Sequence, residues 1–431
     1  MLADTTTSQS APPPHRPARL RLLATRLLAL CILLIYLGLL IAHLPDEWTA
    51  AHPVCLPLIW LAFFLRTYFV PLACLLALIL AIAALRRRWP FVLALTPLVL
   101  YALTVHAATY VPRRPAPTGP TLRVLSFNAM GNNHAAASLP AFVDEHDPDV
   151  LCIQEYSQRV HAACGSALAA RFPHAVFSPT AGLRGTAVYS RLPFASPPER
   201  FTLAPNNDPQ YRVVLDWAGH PVVLHCIHLP PPSSPKRFAD QRLGFATLRS
   251  VLDLDFALPE PSLKPAAAPT ASSAPAATSA ALPILAAVPT ASSAPPPTPS
   301  SVAPAVSPPS PTARPTDMSS GSPARALASA PPPPLLIVCG DFNQPNDSPA
   351  GDWFARRGLL DATLITGAGP QPTWCYRGRR AILPKVRIDH VYLSPALSVH
   401  RIETLPVPGS DHRATLAEVG LTPPPASRPP T

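Results

Sequence analysis

Residues 334–343 read PLLIVCGDFN, and the order of residue types there sets the reading of the whole soluble part. A short run of branched apolar side chains marks a buried strand, and it stops abruptly on a glycine followed by the polar pair Asp341 and Asn343. The same plan recurs on both sides of it. TLRVLSFNAM (121–130), PDVLCIQEYS (148–157), GTAVYSRLPF (185–194), YRVVLDWAGHPVVLHCIHL (211–229) and VRIDHVYLSP (386–395) are apolar runs that end on polar groups. Gly219 and His220 suit a hairpin turn. Helical patterns are expected from Leu139 to Glu145, from Val160 to Arg171 and from Arg237 to Leu252. Strands of mixed kind interleaved with amphipathic helices predict an α/β domain in which two sheets pack face to face with helices on their outer faces.

Composition changes sharply outside this region. The 62 prolines concentrate in residues 256–334 and near both termini, and PTASSAP at 269–275 recurs at 289–295. Such a stretch buries too little apolar surface to offset ordering entropy, so residues 256–334 are expected to be a disordered Pro/Ala/Ser/Thr-rich insertion. Disorder is expected also for the N-terminus, 1–20, and the tail, 421–431. Residues 121–255 and 335–420 then form the soluble domain, joined by a linker at 112–120 to an apolar region at 21–111.

About 20 apolar residues are needed to cross a bilayer as a helix. About three transmembrane helices are expected: from Leu22 to Leu44, a second that begins between Val54 and Tyr68 and ends at Leu85, and a third from Trp89 to Val111. Pro57, Arg66 and Pro71 interrupt the second. Arg16, Arg19, Arg21 and Arg26 at the first helix, and Arg86, Arg87 and Arg88 between the second and third, are the clusters that stay cytoplasmic in multi-pass proteins. The expectation is a multi-pass cell-membrane protein, held by the lipid bilayer, with its soluble domain on the extracytoplasmic side.

The net charge of +10 lies largely in arginines beside apolar spans, so it speaks for topology more than for an anionic ligand. The eight cysteines show no metal-ligand spacing, and no zinc site is expected. Cys152, Cys226 and Cys339 lie inside apolar runs and read as buried free thiols.

Asn128, Glu155, His228, Asp341, Asn343, Asp389, Asp411 and His412 all sit at the ends of apolar runs. A carboxylate at one strand end is ordinarily a solvated tip or a cap. Several oxygen donors together are what Mg²⁺ or Mn²⁺ requires, and neighbouring Asn and His side chains suit a phosphate oxygen.

Taken in order, SFNAM, DVLCIQE, HCIHL, GDFN, RIDHVYLS and SDH resemble the motifs of the endonuclease/exonuclease/phosphatase family, over nearly the entire soluble part. The resemblance implies a four-layered α/β sandwich and a metal-dependent phosphoesterase that hydrolyses its substrate in one step. By resemblance, Glu155 is the principal metal carboxylate, Asn128 beside it binds metal or phosphate, and Asp411 completes the metal shell. Asp341 is implied as the group that orients or deprotonates the attacking water, with Asn343 on the phosphate. His412, positioned by Asp389, and His228 would contact phosphate oxygens or move a proton. The family's abasic-site endonucleases carry an acidic residue two positions after the first asparagine, where this chain has Met130.

Nucleic acid, a phospholipid and a small phosphoester are all substrates within the family's range. The basic and aromatic residues Trp374, Tyr376, Arg377, Arg379, Arg380 and Lys385 suit any anion. The competing class is a membrane-tethered binding or scaffold protein that keeps the fold without the reaction. Nothing in the sequence bears on oligomeric state.

Overall fold

The computed structural model describes residues 16–44, 53–203, 205, 208–257, 334–375 and 384–424. Most of the segments expected to be disordered, 1–15, 258–333 and 425–431, lie outside these residues, as do Tyr376, Arg377, Arg379 and Arg380 of the basic stretch.

Among the described residues four apolar helices precede the sheets: α1 (Arg16–Ala42), α2 (Leu56–Thr67), α3 (Phe69–Leu85) and α4 (Trp89–Ala108). Residues Arg19–Ala42 and Trp89–Ala108 are each long and apolar enough to cross a membrane. The α2–α3 pair passes the same test together, with a bend of 71° between its halves, so the described helices supply two spans, or three if the bent pair is one. The bend falls at Tyr68, and Pro71 sits in the first turn of α3, where a missing N–H costs nothing. Leu23, Leu30, Leu33 and Leu40 of α1 are exposed and form an apolar surface.

Beyond them lie two six-stranded mixed sheets. The first comprises β1 (Leu122–Asn128), β2 (Val150–Gln154), β3 (His174–Ser178), β4 (Thr186–Ser190), β11 (Leu397–Pro406) and β12 (Arg413–Leu421), in the order β11-β12-β1-β2-β4-β3. The second comprises β5 (Glu199–Leu203), β6 (Asp208–Trp217), β7 (His220–His228), β8 (Leu335–Asp341), β9 (Leu360–Asp361) and β10 (Asp389–Leu393), in the order β5-β6-β7-β8-β10-β9. The turn between β6 and β7 is Ala218 and Gly219, both at positive φ, one residue earlier than the Gly219–His220 pair expected from sequence. Two successive left-handed residues match the twist of a two-residue hairpin, which fixes that register.

Strand periodicity explains the layers. In β8, Leu335, Ile337 and Cys339 face the space between the sheets, where they meet Val124, Val213, Leu224 and Val391. Leu336 and Val338 face outward, under α7 (Pro235–Ala257) and α8 (Pro349–Arg356). In β2, Cys152 joins the central core while Leu151 and Ile153 pack beneath α5 (Leu139–His146) and α6 (Gln158–Ala169). Both faces of each central strand are buried, which is why these strands read as continuous apolar runs. The result is the four-layered sandwich. Cys152, Cys226 and Cys339 are buried and free in its central layer.

Candidate active site

Register gathers the polar strand ends at one rim. In each sheet the central pair is parallel, β1 with β2 and β7 with β8, so Asn128 lies opposite Gln154 and His228 opposite Asp341. β10 runs antiparallel to β8 and starts opposite Asp341, at Asp389. β12, antiparallel to β1, starts just after Asp411 and His412 at the same rim.

The backbone at the rim is held in uncommon conformations. Glu155, Met130 and Asn343 have φ of 52°, 58° and 52°, a left-handed region that non-glycine residues seldom occupy away from functional sites. Gly340, at φ 141°, lies so close to β7 that an added Cβ would stand 1.9 Å from the Ile227 carbonyl oxygen. Only glycine lets β8 deliver Asp341 beside His228.

Asp341 is the hub. Its Oδ1 accepts from the Asn343 backbone N–H at 2.9 Å, and its Oδ2 accepts from Asn128 Nδ2 at 3.0 Å. His228 Nε2 and His412 Nε2 each stand 3.8 Å from Oδ2. Asn128 Nδ2 also donates to Glu155 Oε1 at 3.2 Å, and Glu155 Oε2 accepts from the Gly131 N–H at 2.8 Å. His412 Nδ1 is 3.0 Å from Asp389 Oδ2. Asn343 Nδ2 donates to the Leu229 carbonyl at 2.8 Å. Asp411 points to Trp374, accepting from its indole N–H at 3.1 Å, and among the described residues no hydrogen bond ties it to Glu155 or Asn128.

Ligand-capable atoms of Asp341, Asp389 and His412 all lie within 4.8 Å of one another. Burial pushes the Asp341 carboxyl up to about 6, and the neighbouring Asp389 adds to the rise against the pull of His412, His228 and Asn128. Burial alone would lower His412, but Asp389 and Asp341 outweigh it and carry the imidazole up to about 10. Two carboxylates that are each about 1% exposed face each other here, with a third beside them on Glu155. That charge imbalance, on hard oxygen donors, fits a divalent cation.

Several further residues hold the site together, and of these Thr373 and Gln210 carry no sequence signal of their own. Ser410 Oγ donates to the Asn128 carbonyl and accepts from the His412 N–H, tying β1 to the final motif. Thr373 Oγ1 accepts from the backbone N–H groups of Ile388 and Asp389. Gln210 grips the His228 backbone through both ends of its amide. Ser410 alone of the three belongs to a sequence motif, as the first letter of SDH. His225 is remote in role: its Nε2 pairs with Asp255 at 2.6 Å beneath α7. His390 pairs with Asp361 and reaches the Gln344 carbonyl, propping the loop after Asn343.

Two sheets wrapped by helices, with these side chains at one rim, define a phosphoesterase-like sandwich. The chain belongs to the Endonuclease/Exonuclease/phosphatase family, whose model matches residues 125–412. Among solved structures it is similar to an endonuclease/exonuclease/phosphatase from Beutenbergia cavernae, at 17% identity and a TM-score of 0.41, covering 72% of this chain and 74% of that one. It is also similar to D. rerio TDP2 complexed with single-strand DNA product, at 14% identity and a TM-score of 0.44, covering 70% and 100%. A third is the 3′ phosphatase NExo from Neisseria bound to a product DNA hairpin, at 16% identity and a TM-score of 0.42, covering 69% and 98%. No curated protein matches the chain.

Proposed function

We propose that this chain is a membrane-anchored phosphoesterase dependent on a divalent metal, Mg²⁺ or Mn²⁺, that cleaves a phosphodiester by in-line attack of water. The observation that carries the reading is the closure of Asp341, Asp389 and His412 into one buried cluster, with Asn128 linking it to Glu155. Glu155, Asn128 and Asp411 are the residues that would hold the metal, which when bound supplies charge neutralisation at the phosphate and stabilisation of the leaving oxygen. Asp341 orients the attacking water and takes its proton. His412, held through Nδ1 by Asp389, turns Nε2 to a phosphate oxygen. His228 and Asn343 flank Asp341 and bind the remaining oxygens. The exposed leucines of α1 support anchoring in a bilayer.

The test uses the full-length chain in detergent micelles with plasmid, oligonucleotide, sphingomyelin and bis(p-nitrophenyl) phosphate as substrates. Hydrolysis of at least one should vanish with chelator and return with Mg²⁺ or Mn²⁺. Asp341→Asn should lower kcat/KM by roughly 10³-fold. Undiminished activity in that variant removes Asp341 from the chemistry, and hydrolysis of none of the four favours the scaffold class. The preferred substrate separates nucleic-acid from lipid and small-phosphoester enzymes.

A further inference from the structure

Trp374 lies in the basic and aromatic stretch whose residue types suit an anion, and the anion its indole meets is a carboxylate of the chain itself, Asp411. Thr373 and Trp374 form a short extended segment laid between the two sheets at the rim. On one side Trp374 pairs with Val386, just ahead of β10: its N–H donates to the Val386 carbonyl at 2.9 Å and its carbonyl accepts from the Val386 N–H at 3.0 Å. On the other side it bridges to His412, and the Thr373 carbonyl accepts from the Arg413 N–H at 2.6 Å, where β12 begins. Bonds to both sheets thus fix Trp374 at the level of Asp389 and His412.

The side chain reaches across that seam. Its indole N–H donates to Asp411 Oδ2 at 3.1 Å, and the ring lies tilted beside the His412 imidazole with centroids 6.4 Å apart. An indole nitrogen donates one hydrogen bond and accepts none, so it can fix a carboxylate without competing with it for a cation. The other carboxylates of the rim are held from within the site: Glu155 by Asn128 and the Gly131 N–H, Asp341 by Asn128 and the Asn343 N–H, and Asp389 by His412. Among the described residues the side chain of Asp411 has only the indole, and its Oδ1 accepts no hydrogen bond. A ligand carboxylate free to turn loses that freedom when a cation binds, which weakens the binding; one already held does not.

We propose that Trp374 is a positioning residue for the divalent cation, acting through Asp411: the indole N–H engages Oδ2, fixes the direction of the carboxylate and leaves Oδ1 to the metal. The inference rests on the reading of Asp411 as a metal ligand and adds to it the residue that holds that ligand still. Loss of a donor that orients a metal ligand typically lowers metal affinity by about 10–100-fold. Trp374 and Asp411 are each half-buried, so water replaces part of the lost hydrogen bond and the expected effect is the lower figure, about tenfold.

The experiment titrates Mn²⁺ into the full-length chain in uncharged maltoside micelles and follows the electron paramagnetic resonance signal of the free ion, which counts bound metal without turnover. Trp374→Phe, which keeps a ring beside His412 and removes the N–H, should weaken Mn²⁺ binding by about tenfold. Asp411→Ala should weaken it at least as much. Adding Trp374→Phe to Asp411→Ala should change nothing further, because the indole then has no carboxylate to fix. A packing role for Trp374 would instead add its loss to that of Asp411→Ala, and that result overturns the proposal. Unchanged affinity in Trp374→Phe beside a weakened Asp411→Ala overturns it too, and leaves Asp411 as a ligand. If Asp411→Ala binds Mn²⁺ as the unsubstituted chain does, Asp411 is no ligand and the proposal falls with that assignment. A chain that binds no Mn²⁺ sinks the metal-dependent reading and this one together. Should Trp374→Phe not fold, benzothienylalanine placed at position 374 by nonsense suppression, the same shape with sulfur in place of the N–H, carries the same expectations.

Discussion

Asp208 opens β6 with its carboxylate buried, its Oδ1 without a hydrogen-bond partner among the described residues, and the cation of Arg184 at 3.4 Å with a side chain 52% exposed. Burial pushes its pKa up to about 6 against the pull of Arg184 and Arg237. Because the folded pKa lies above the unfolded one, the carboxylate costs nothing below about pH 4, costs progressively more between about pH 4 and 6, and a constant amount above. A shift of that size corresponds to about 3 kcal/mol. Asp208→Asn should therefore raise unfolding free energy by about 3 kcal/mol near pH 7 and by almost nothing near pH 4, read by urea titration at the two pH values. An equal gain at both would show that the charge is not responsible. The candidate rim was legible residue by residue for a different reason: Asn128, His228 and Asp341 sit where apolar runs stop and parallel pairing brings such ends together, while Asp389 opens an antiparallel strand opposite Asp341. Gln210 and Thr373 were not legible, because they hold backbone atoms of other residues and follow no spacing in the chain.

Among the elements, α2 shows how an interruption in an apolar run becomes a joint. Arg66 stood out in the sequence only as a break, since its partners lie 281 and 286 residues away. Its side chain is 5% exposed, and its Nη2 lies 2.5 Å from Asp347 and 3.2 Å from Asp352, whose side chains are 35% and 49% exposed. The asymmetry in exposure decides what substitution does. Without Arg66, both carboxylates still reach water, so Arg66→Met should change stability by no more than about 1 kcal/mol. Without both carboxylates, a buried guanidinium stays charged and unanswered, so Asp347→Asn with Asp352→Asn should cost about 2 kcal/mol after allowance for solvent screening at the half-exposed acids. Adding Arg66→Met to that pair should restore most of the loss, a coupling that thermal unfolding of the four proteins in micelles would measure. If Arg66→Met alone is as damaging as the double substitution, the arginine holds the joint by packing and not by charge. The 71° bend belongs to this element as well: the sequence marked its neighbourhood with Arg66 and Pro71, but the contact that makes the bend worth keeping is a tertiary one.

For the whole molecule, the direction of the helices matters more than their number. Tyr36 of α1 bonds to the Ala94 carbonyl of α4, and His43 meets Tyr101, so both helices advance the same way along the bundle. Their starts, with Arg19, Arg21 and Arg26 at one and Arg86, Arg87 and Arg88 before the other, thus share an end. The opposite end meets the sandwich domain through contacts that include Arg66 to Asp347, the Trp60 indole to the Pro232 carbonyl at 2.7 Å, and the Gly369 N–H to the Thr109 carbonyl at 3.1 Å. Clustered arginines tend to stay with the cytoplasm, so a bundle with its basic ends together, if it crosses a bilayer, predicts an extracytoplasmic rim. Cysteines introduced at two exposed positions test this in intact cells. Ala181→Cys, on the catalytic domain, should react with a membrane-impermeant maleimide above the level of the unsubstituted chain, whereas Arg87→Cys should react only after the membrane is opened. The reverse pattern would place the rim in the cytoplasm, facing intracellular phosphoesters, and labelling of both in intact cells would mean that the helices do not span the bilayer.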